Sequence, residues 1–158
     1  MTLEALDVRK ATLADLEPML SLLTELNRGL QRPVDTQPAD WRRNLSQLVE
    51  DPDAHVLVAV VGGEIAGLLT VGSRVTLLHR QPVGLIYELV VAEAFRGKGV
   101  GRALTNSAAE LAQQLGWAEL EVSTEAGNQA AIAFYRSCGF TEEAVLLERE
   151  FDQSAKDA

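Results

Sequence analysis

The chain has 158 residues, 47% hydrophobic and 23% charged, with a formal net charge of −9. This length and composition suit one globular domain, and the negative charge argues against a nucleic acid as the main partner, because phosphate binding needs a basic surface. One cysteine and two distant histidines supply neither a disulfide nor a metal cluster. No apolar run approaches the roughly 20 residues of a membrane span, and the first residues lack a signal-peptide pattern, so we expect a soluble, cytoplasmic protein without a membrane partner.

The first half of the chain predicts a short strand, two amphipathic helices and a hairpin. Thr12 and Asp15 come close to a capping box at the start of a helix whose leucines repeat every three to four residues. A loop rich in polar residues and proline separates the two helices, and Gly62-Gly63 forms the bend of the hairpin. The predicted ranges are 6–11 for the strand, 13–27 and 41–50 for the helices, and 55–61 with 65–71 for the hairpin.

The second half predicts three strands separated by two helices. An apolar stripe from Val100 to Leu115 indicates a long helix that stops at Gly116, and Cys138-Gly139 ends a shorter one. The strands are expected at 85–91, 118–124 and 140–151, the helices at 100–115 and 128–137, and a frayed polar tail at 152–158. This order predicts an α/β fold over residues 1–151, with a sheet that is antiparallel early and has a helix crossover late.

The segment F-R-G-K-G-V-G-R-A, residues 95–103, places three glycines and three cations between a predicted strand and a predicted helix. Backbone N–H groups at such a junction, together with the helix dipole, form a seat for phosphate oxygens. A solvated basic turn is the simplest alternative. The nucleotide pattern G-x-x-x-x-G-K-[ST] is absent, and Leu104 stands where a dinucleotide fingerprint that begins at Gly99 needs its third glycine.

Two separate motifs carry a resemblance to one family. Arg96-x-x-Gly99-x-Gly101 matches the R/Q-x-x-G-x-G/A signature of the GNAT superfamily of N-acetyltransferases. The segment N-Q-A-A-I-A-F-Y-R-S-C-G-F, residues 128–140, resembles the N-x-x-A-I-x-F-Y…G-F pattern of the same family. The detailed likeness covers residues 85–140, with both motifs in the order and spacing of the family.

The resemblance implies a GNAT-like fold with a mixed, mostly antiparallel central sheet and about four flanking helices. Its splayed strand pair, 85–91 and 118–124, would bind acyl-coenzyme A. By resemblance, the backbone from Arg96 to Arg102 holds the pyrophosphate of acetyl-coenzyme A, and the first strand of the pair binds the pantetheine arm. The residues implied in cofactor binding are Leu89, Val90, Val91, Arg96, Gly97, Lys98, Gly99, Val100, Gly101, Arg102, Asn128, Ala131, Phe134 and Tyr135.

Two residues are candidates for catalysis. Glu88 is the lone carboxylate of L-I-Y-E-L-V-V and is expected on one strand face with Ile86 and Val90. By resemblance it is the general base, directly or through water; a glutamate paired with a neighbouring arginine is the alternative. By resemblance the Tyr135 hydroxyl is the general acid at the coenzyme sulfur, with a core aromatic as the alternative. Cys138 follows a helix C-terminus, where the dipole disfavours a thiolate, so direct transfer without an acyl-enzyme is expected.

The expected function is acetyl transfer from acetyl-coenzyme A to a primary amine of a small molecule or peptide. The alternatives are a non-catalytic acyl-coenzyme A sensor, which would have no use for Glu88 and Tyr135, and a nucleotide-binding regulatory domain. An exposed closing strand would invite pairing with a second subunit, so a homodimer is a further prediction. Several acids hint at a cationic acceptor: Glu25, Asp35, Asp40, Glu50 and Asp51.

Overall fold

The computed structural model describes residues 5–30 and 36–152, so Asp35 and the tail residues 153–158 lie outside the described part. Across the described ranges, no helix is both long and apolar enough to cross a bilayer. The chain divides into two compact units, Met1–Val122 and Ser123–Ala158. The first unit holds the sheet and three helices, and the second holds the last helix.

Within the described residues, five strands and four α-helices follow the predicted chain order. The second helix begins three residues earlier than the sequence indicated, because proline is favoured in the first turn of a helix. The bounds are β1 Leu6–Lys10, α1 Leu16–Gly29, α2 Pro38–Glu50, β2 Ala54–Val61, β3 Glu64–Arg74, β4 Val83–Val91, α3 Val100–Gln114, β5 Glu119–Val122 and α4 Gln129–Ser137.

The five strands form one sheet in the order β1-β2-β3-β4-β5. The first three pairings are antiparallel, whereas β4 and β5 are parallel, with α3 as the crossover between them. A parallel pair needs such a crossover, since a tight turn can join only antiparallel neighbours. The prediction of a mixed, mostly antiparallel sheet flanked by about four helices is therefore confirmed.

Helices cover both faces of the sheet. The core on one face joins side chains of α1 and α2 with those of the sheet: Met19, Leu22, Leu45, Val56, Val58, Leu68 and Val90. Gly67 precedes Leu68 in β3 and so faces the other side, where α3 packs. A Cβ added at Gly67 would lie 2.9 Å from Leu104 Cδ1 and 3.0 Å from Val100 Cγ1, so a glycine here allows α3 its close approach.

The capping box before α1 forms as predicted and is joined by an ion pair. Thr12 N–H donates to Asp15 Oδ2 at 2.8 Å. The Arg9 guanidinium of β1 donates two hydrogen bonds to the same carboxylate, at 2.8 and 2.9 Å. Asp15 is buried, and the hydrogen bonds from Arg9, followed by that from Thr12, lower its carboxyl pKa to about 2.

The closing strand predicted at 140–151 is wrong. Phe140 N–H donates to the Tyr135 carbonyl at the end of α4, and the described residues after it form no strand. Val145 and Leu147 in this stretch are 86% and 88% exposed. Alternation of apolar and polar residues indicates which face a strand would bury, but a strand forms only where its backbone finds a partner.

Candidate active site

A β-bulge in β4 determines how its polar side chains are directed. Thr70 of β3 is opposite Glu88, and the next residue, Val71, is opposite Ile86. Tyr87 is therefore an extra residue with no counterpart in β3. An extra residue of this kind shifts the alternation of side chains by one position. As a result, Tyr87 and Glu88, although adjacent in sequence, lie on the same face of the sheet.

Because of the bulge, one part of the predicted strand pattern is wrong. Glu88 does share a face with Val90, because Val90 is opposite Leu68 and both pack in the α1–α2 core. It does not share a face with Ile86, which is opposite Val71 on the side of α3. The carboxylate is thus on the face covered by α1 and α2. A local sequence pattern cannot show this, because the register belongs to the pairing of two strands.

The Glu88 carboxylate is held by a hydroxyl, and no cation of the described ranges pairs with it. Thr70 Oγ1 donates to Glu88 Oε2, and Glu88 N–H donates to the same Thr70 Oγ1 at 3.1 Å. Thr70 is buried, with 2% of its surface exposed, whereas Glu88 is half-buried. Among the ion pairs of residues 5–30 and 36–152, none involves Glu88. The described residues therefore do not form the alternative, in which Glu88 would pair with an arginine.

The second half of β4 extends beyond its parallel neighbour. Pairing with β5 begins at Val83 opposite Glu119 and ends at Ile86 opposite Val122. From Tyr87 onward, β4 continues to Val91 without a β5 partner. Among the described residues, no strand pairs with this edge of β4 from Tyr87 to Val91, which is what the splayed strand pair of the resemblance requires.

The backbone groups of β4 alternate between the two sides of the strand. Ala92 N–H donates to the Ala66 carbonyl of β3, and the Val90 carbonyl lies toward Gly67 of β3. Backbone groups in a strand point alternately to its two neighbours, so those of Leu89 and Val91 point away from β3. These two residues therefore direct their backbone groups to the edge without a β5 partner, whereas Val90 directs its own to β3.

The glycine-rich turn leads directly into α3. Gly97 and Gly99 have φ angles of +71° and +85°, and Gly99 is the residue before the first turn of α3. These left-handed conformations are easy for glycine and costly for other residues. Val100, 1% exposed, anchors the helix to the sheet, so the N–H groups of its first turn are held in place at an exposed turn. Nothing lies within 4 Å of a Cβ built at Gly97 or Gly99, which leaves room for an anion.

The cations of this turn brace its backbone. Arg96 Nε donates to the Val91 carbonyl at 3.0 Å, and its guanidinium pairs with Glu25 of α1 at 3.3 Å. Lys98 Nζ donates to the Ala94 carbonyl at 2.8 Å. Glu25 also accepts the Glu93 N–H at 2.6 Å. Arg96 and Lys98 thus shape the turn, and its backbone N–H groups remain the predicted anion ligands.

The second unit carries the predicted acid on α4. Asn128 is the N-cap of this helix, and its side chain accepts the Ala131 N–H at 3.1 Å. The Tyr135 ring contacts the rings of Phe134 and Phe140 edge-on, at centroid distances of 5.1 and 5.7 Å. Partial burial raises the pKa of the Tyr135 hydroxyl above its ordinary value of 10.0, so the phenol keeps its proton at neutral pH. Its catalytic role stays a prediction.

Two of the acids that hinted at a cationic acceptor already have partners. Glu25 binds Arg96 and the Glu93 N–H, and Asp40 pairs with Arg43 at 2.8 Å within α2. These contacts weaken the inference of a cationic acceptor from charge alone.

Sequence reasoning missed Thr70 and Tyr87. A signal for Thr70 was present, because it is a lone hydroxyl in the apolar run I-A-G-L-L-T-V. Nothing in the sequence indicated Tyr87, since only the bulge brings its side chain to the face of Glu88.

Comparison with known proteins identifies the family of this chain. The Acetyltransferase (GNAT) family matches residues 18–140. An aminoalkylphosphonate N-acetyltransferase of Salmonella typhimurium is 31% identical, over 85% of this chain and 84% of its own. An aminoglycoside N(6')-acetyltransferase of Stenotrophomonas maltophilia is 30% identical, over 98% of this chain and its whole length.

A solved structure shares the fold as well. It is described as a transcriptional regulator from Bacillus halodurans and is 28% identical, with a TM-score of 0.82 over 93% of this chain and all of its own. The family match covers the turn at 95–103, the bulged strand β4 and helix α4 together. The resemblance that the motifs predicted is confirmed: this chain belongs to the GNAT family of acetyltransferases.

Proposed function

We propose that this protein transfers an acetyl group from acetyl-coenzyme A directly to a primary amine of a small molecule or peptide. The observation that carries the proposal is Glu88, a carboxylate without a cation partner among the described residues, within the stretch of β4 that does not pair with β5. Acetyl-coenzyme A supplies an activated thioester. We place the whole activity in one domain, residues 1–151, of a cytoplasmic protein.

The chain offers two kinds of contact for the coenzyme. The turn from Arg96 to Arg102 would bind its pyrophosphate through backbone N–H groups, helped by the dipole of α3. Leu89 and Val91 direct backbone groups to the uncovered edge of β4, where the amides of a pantetheine arm can pair as a strand would. In the second unit, we propose that Asn128, Ala131, Phe134 and Tyr135 contribute the remaining contacts.

Two proton transfers are assigned to side chains of the protein. The amine nitrogen attacks the thioester carbonyl carbon and the carbon–sulfur bond breaks, so the amine loses one proton and the leaving sulfur gains one. Glu88 accepts the first proton, directly or through water, and Tyr135 donates the second. Tyr135 carries a proton that it can donate, since its phenol is protonated at neutral pH.

The names of two relatives support an amine as the acceptor. One relative is described as an aminoalkylphosphonate acetyltransferase and another as an aminoglycoside acetyltransferase. Both kinds of compound carry primary amines. The two relatives therefore define the first compounds to test, with a polyamine and a peptide N-terminus added to the panel.

The alternative function is a non-catalytic acyl-coenzyme A sensor that uses the same turn. The experiment is a turnover assay that follows released thiol across the amine panel, with wild type and Glu88→Gln, alongside calorimetry with coenzyme A, ATP and NAD. Glu88→Gln is expected to lower kcat by roughly 10²–10⁴-fold and to leave coenzyme A affinity near normal. Coenzyme A binding without turnover on any amine would favour the sensor. Comparable affinity for ATP or NAD would favour a nucleotide-binding domain.

We also propose that the chain forms a homodimer. The stretch at 145–147 exposes three consecutive apolar side chains, Val145, Leu146 and Leu147. An exposed apolar patch on a monomer is a common site of association. Light scattering at micromolar concentration should give twice the chain mass for wild type and one chain mass for a Val145→Glu/Leu147→Glu variant. A monomer mass for the wild type would remove this proposal.

A further inference from the structure

Thr70 makes two contacts with one residue of the neighbouring strand. Its Oγ1 accepts the Glu88 N–H at 3.1 Å and donates to Glu88 Oε2. A hydroxyl has one proton, and here that proton is directed to the carboxylate, because the backbone N–H already occupies an acceptor site of the oxygen. The side chain and the backbone of Glu88 are therefore tied to the same oxygen atom.

Thr70 is itself held firmly. It is 2% exposed, within a strand that pairs with β2 on one side and with β4 on the other. The branched Cβ of threonine restricts its χ1 angle, so the hydroxyl has few other positions available. A firmly held donor restricts the Glu88 side chain, which would otherwise sample several rotamers.

The contact also distinguishes the two carboxylate oxygens. Thr70 binds Oε2, and no hydrogen bond of the described residues reaches Oε1. Glu88 is half-buried, so solvent reaches part of the residue, and Oε1 is the carboxylate oxygen without a hydrogen bond from the described residues. Glu88 faces Thr70 through the regular alternation that starts from Val90, and the bulge brings the Tyr87 side chain to the same face.

We infer that Thr70 is a positioning residue for Glu88: it holds Oε2 so that Oε1 is presented to the acceptor amine. This inference rests on the proposed function, in which Glu88 is the general base. It predicts that loss of the Thr70 hydroxyl slows the reaction only through Glu88. A residue that merely supports the fold would slow the reaction whether or not Glu88 keeps its carboxylate.

The test is a double-mutant cycle with Thr70→Val and Glu88→Gln, measured as kcat and as KM for both substrates. Thr70→Val alone is expected to lower kcat roughly tenfold, the scale of a hydrogen bond to a charged group, with KM for acetyl-coenzyme A changed less than about twofold. Added to Glu88→Gln, it should lower kcat no further. Thr70→Ser keeps the hydroxyl and should restore most of the activity, which also guards against a valine variant that folds poorly.

Thr24→Val is the matched control. Its hydroxyl donates to the Leu20 carbonyl within α1 at 3.0 Å, so it removes a threonine hydroxyl without touching Glu88. A second readout needs no turnover: the ¹³C resonance of the Glu88 carboxyl should move in Thr70→Val and stay in place in Thr24→Val.

The outcomes separate the two proposals. Equal loss of kcat from Thr70→Val in the wild-type and Glu88→Gln backgrounds, or an unchanged ¹³C resonance, overturns the positioning role while Glu88 remains the base. Full activity of Glu88→Gln overturns the base itself and the positioning role with it. A loss that appears only when Glu88 is present supports both.

Discussion

Replacing Gly67 by alanine tests how closely α3 must approach the sheet. The new methyl carbon would lie 2.9 Å from Leu104 Cδ1, 3.0 Å from Val100 Cγ1 and 3.0 Å from the Val90 carbonyl oxygen. The leucine methyl can turn away, but the carbonyl oxygen is part of the β3–β4 pairing and cannot. The helix or the strand must therefore shift by a few tenths of an ångström.

The magnitude follows from two opposing effects. Overpacking of a core typically costs about 1–3 kcal/mol, and we take about 2 kcal/mol here because one of the three contacts is with backbone. Alanine also restricts the conformations of the unfolded chain, which stabilises the folded protein by about 0.4–1 kcal/mol. The net loss for Gly67→Ala is then about 1–2 kcal/mol. Because Val100 begins α3, we also expect weaker binding of coenzyme A.

Urea denaturation of wild type, Gly67→Ala and Gly29→Ala measures this loss. Gly29 is the control because it ends α1 with no atom within 4 Å of an added Cβ, so alanine there should be neutral or slightly stabilising. Calorimetry with coenzyme A completes the comparison. A urea midpoint for Gly67→Ala at or above that of the wild type would refute the close packing of α3 on β3.

Three further predictions concern the coenzyme site, the acid and the fold. Gly101→Val is expected to abolish coenzyme A binding. The urea midpoint should change little, because Gly101 is within α3 and valine differs little from glycine in helix propensity. Retained coenzyme A affinity would contradict the assignment of this turn to the pyrophosphate. Tyr135→Phe should lower kcat least for thioesters with acidic leaving thiols and cost at most about 1 kcal/mol of stability, whereas full activity returns Tyr135 to a packing role. The folded-state pKa of Asp15, about 2, lies below its ordinary value of 3.8, so the ion pair with Arg9 stabilises above pH ~4 and this contribution is lost toward pH 2. Asp15→Asn should therefore cost about 2 kcal/mol at pH 7 and almost nothing at pH 2, and a cost independent of pH contradicts this.

The elements that were predicted correctly are those whose signals lie within short segments of the sequence. The stripe from Val100 to Leu115 indicates one apolar helix face, and Gly116 ends the helix through its own conformational freedom, with a φ of +70°. The same holds for Asn128, predicted as an N-cap and found to accept the Ala131 N–H. Such signals are local because the hydrogen bonds and side-chain neighbours of a helix are three or four residues apart.

The sheet was predicted less completely because its pairings join distant residues. The sequence gives no sign that Tyr87 is an extra residue in β4, since the bulge exists only in relation to β3. The stretch at 140–151 has the alternation of a strand and still forms none, because alternation does not supply a partner edge.

The amino-acid sequence by itself determined the family, the order of the elements and the glycine-rich turn from Gly97 to Gly101. These features depend on residue types at short, fixed spacings, so they can be recognised in the sequence alone. Tertiary structure alone decided which side of the sheet carries Glu88, that Thr70 holds one of its oxygens, and that β4 extends beyond β5. Those features arise from strand register, and register is set by the packing of residues that are far apart in the chain.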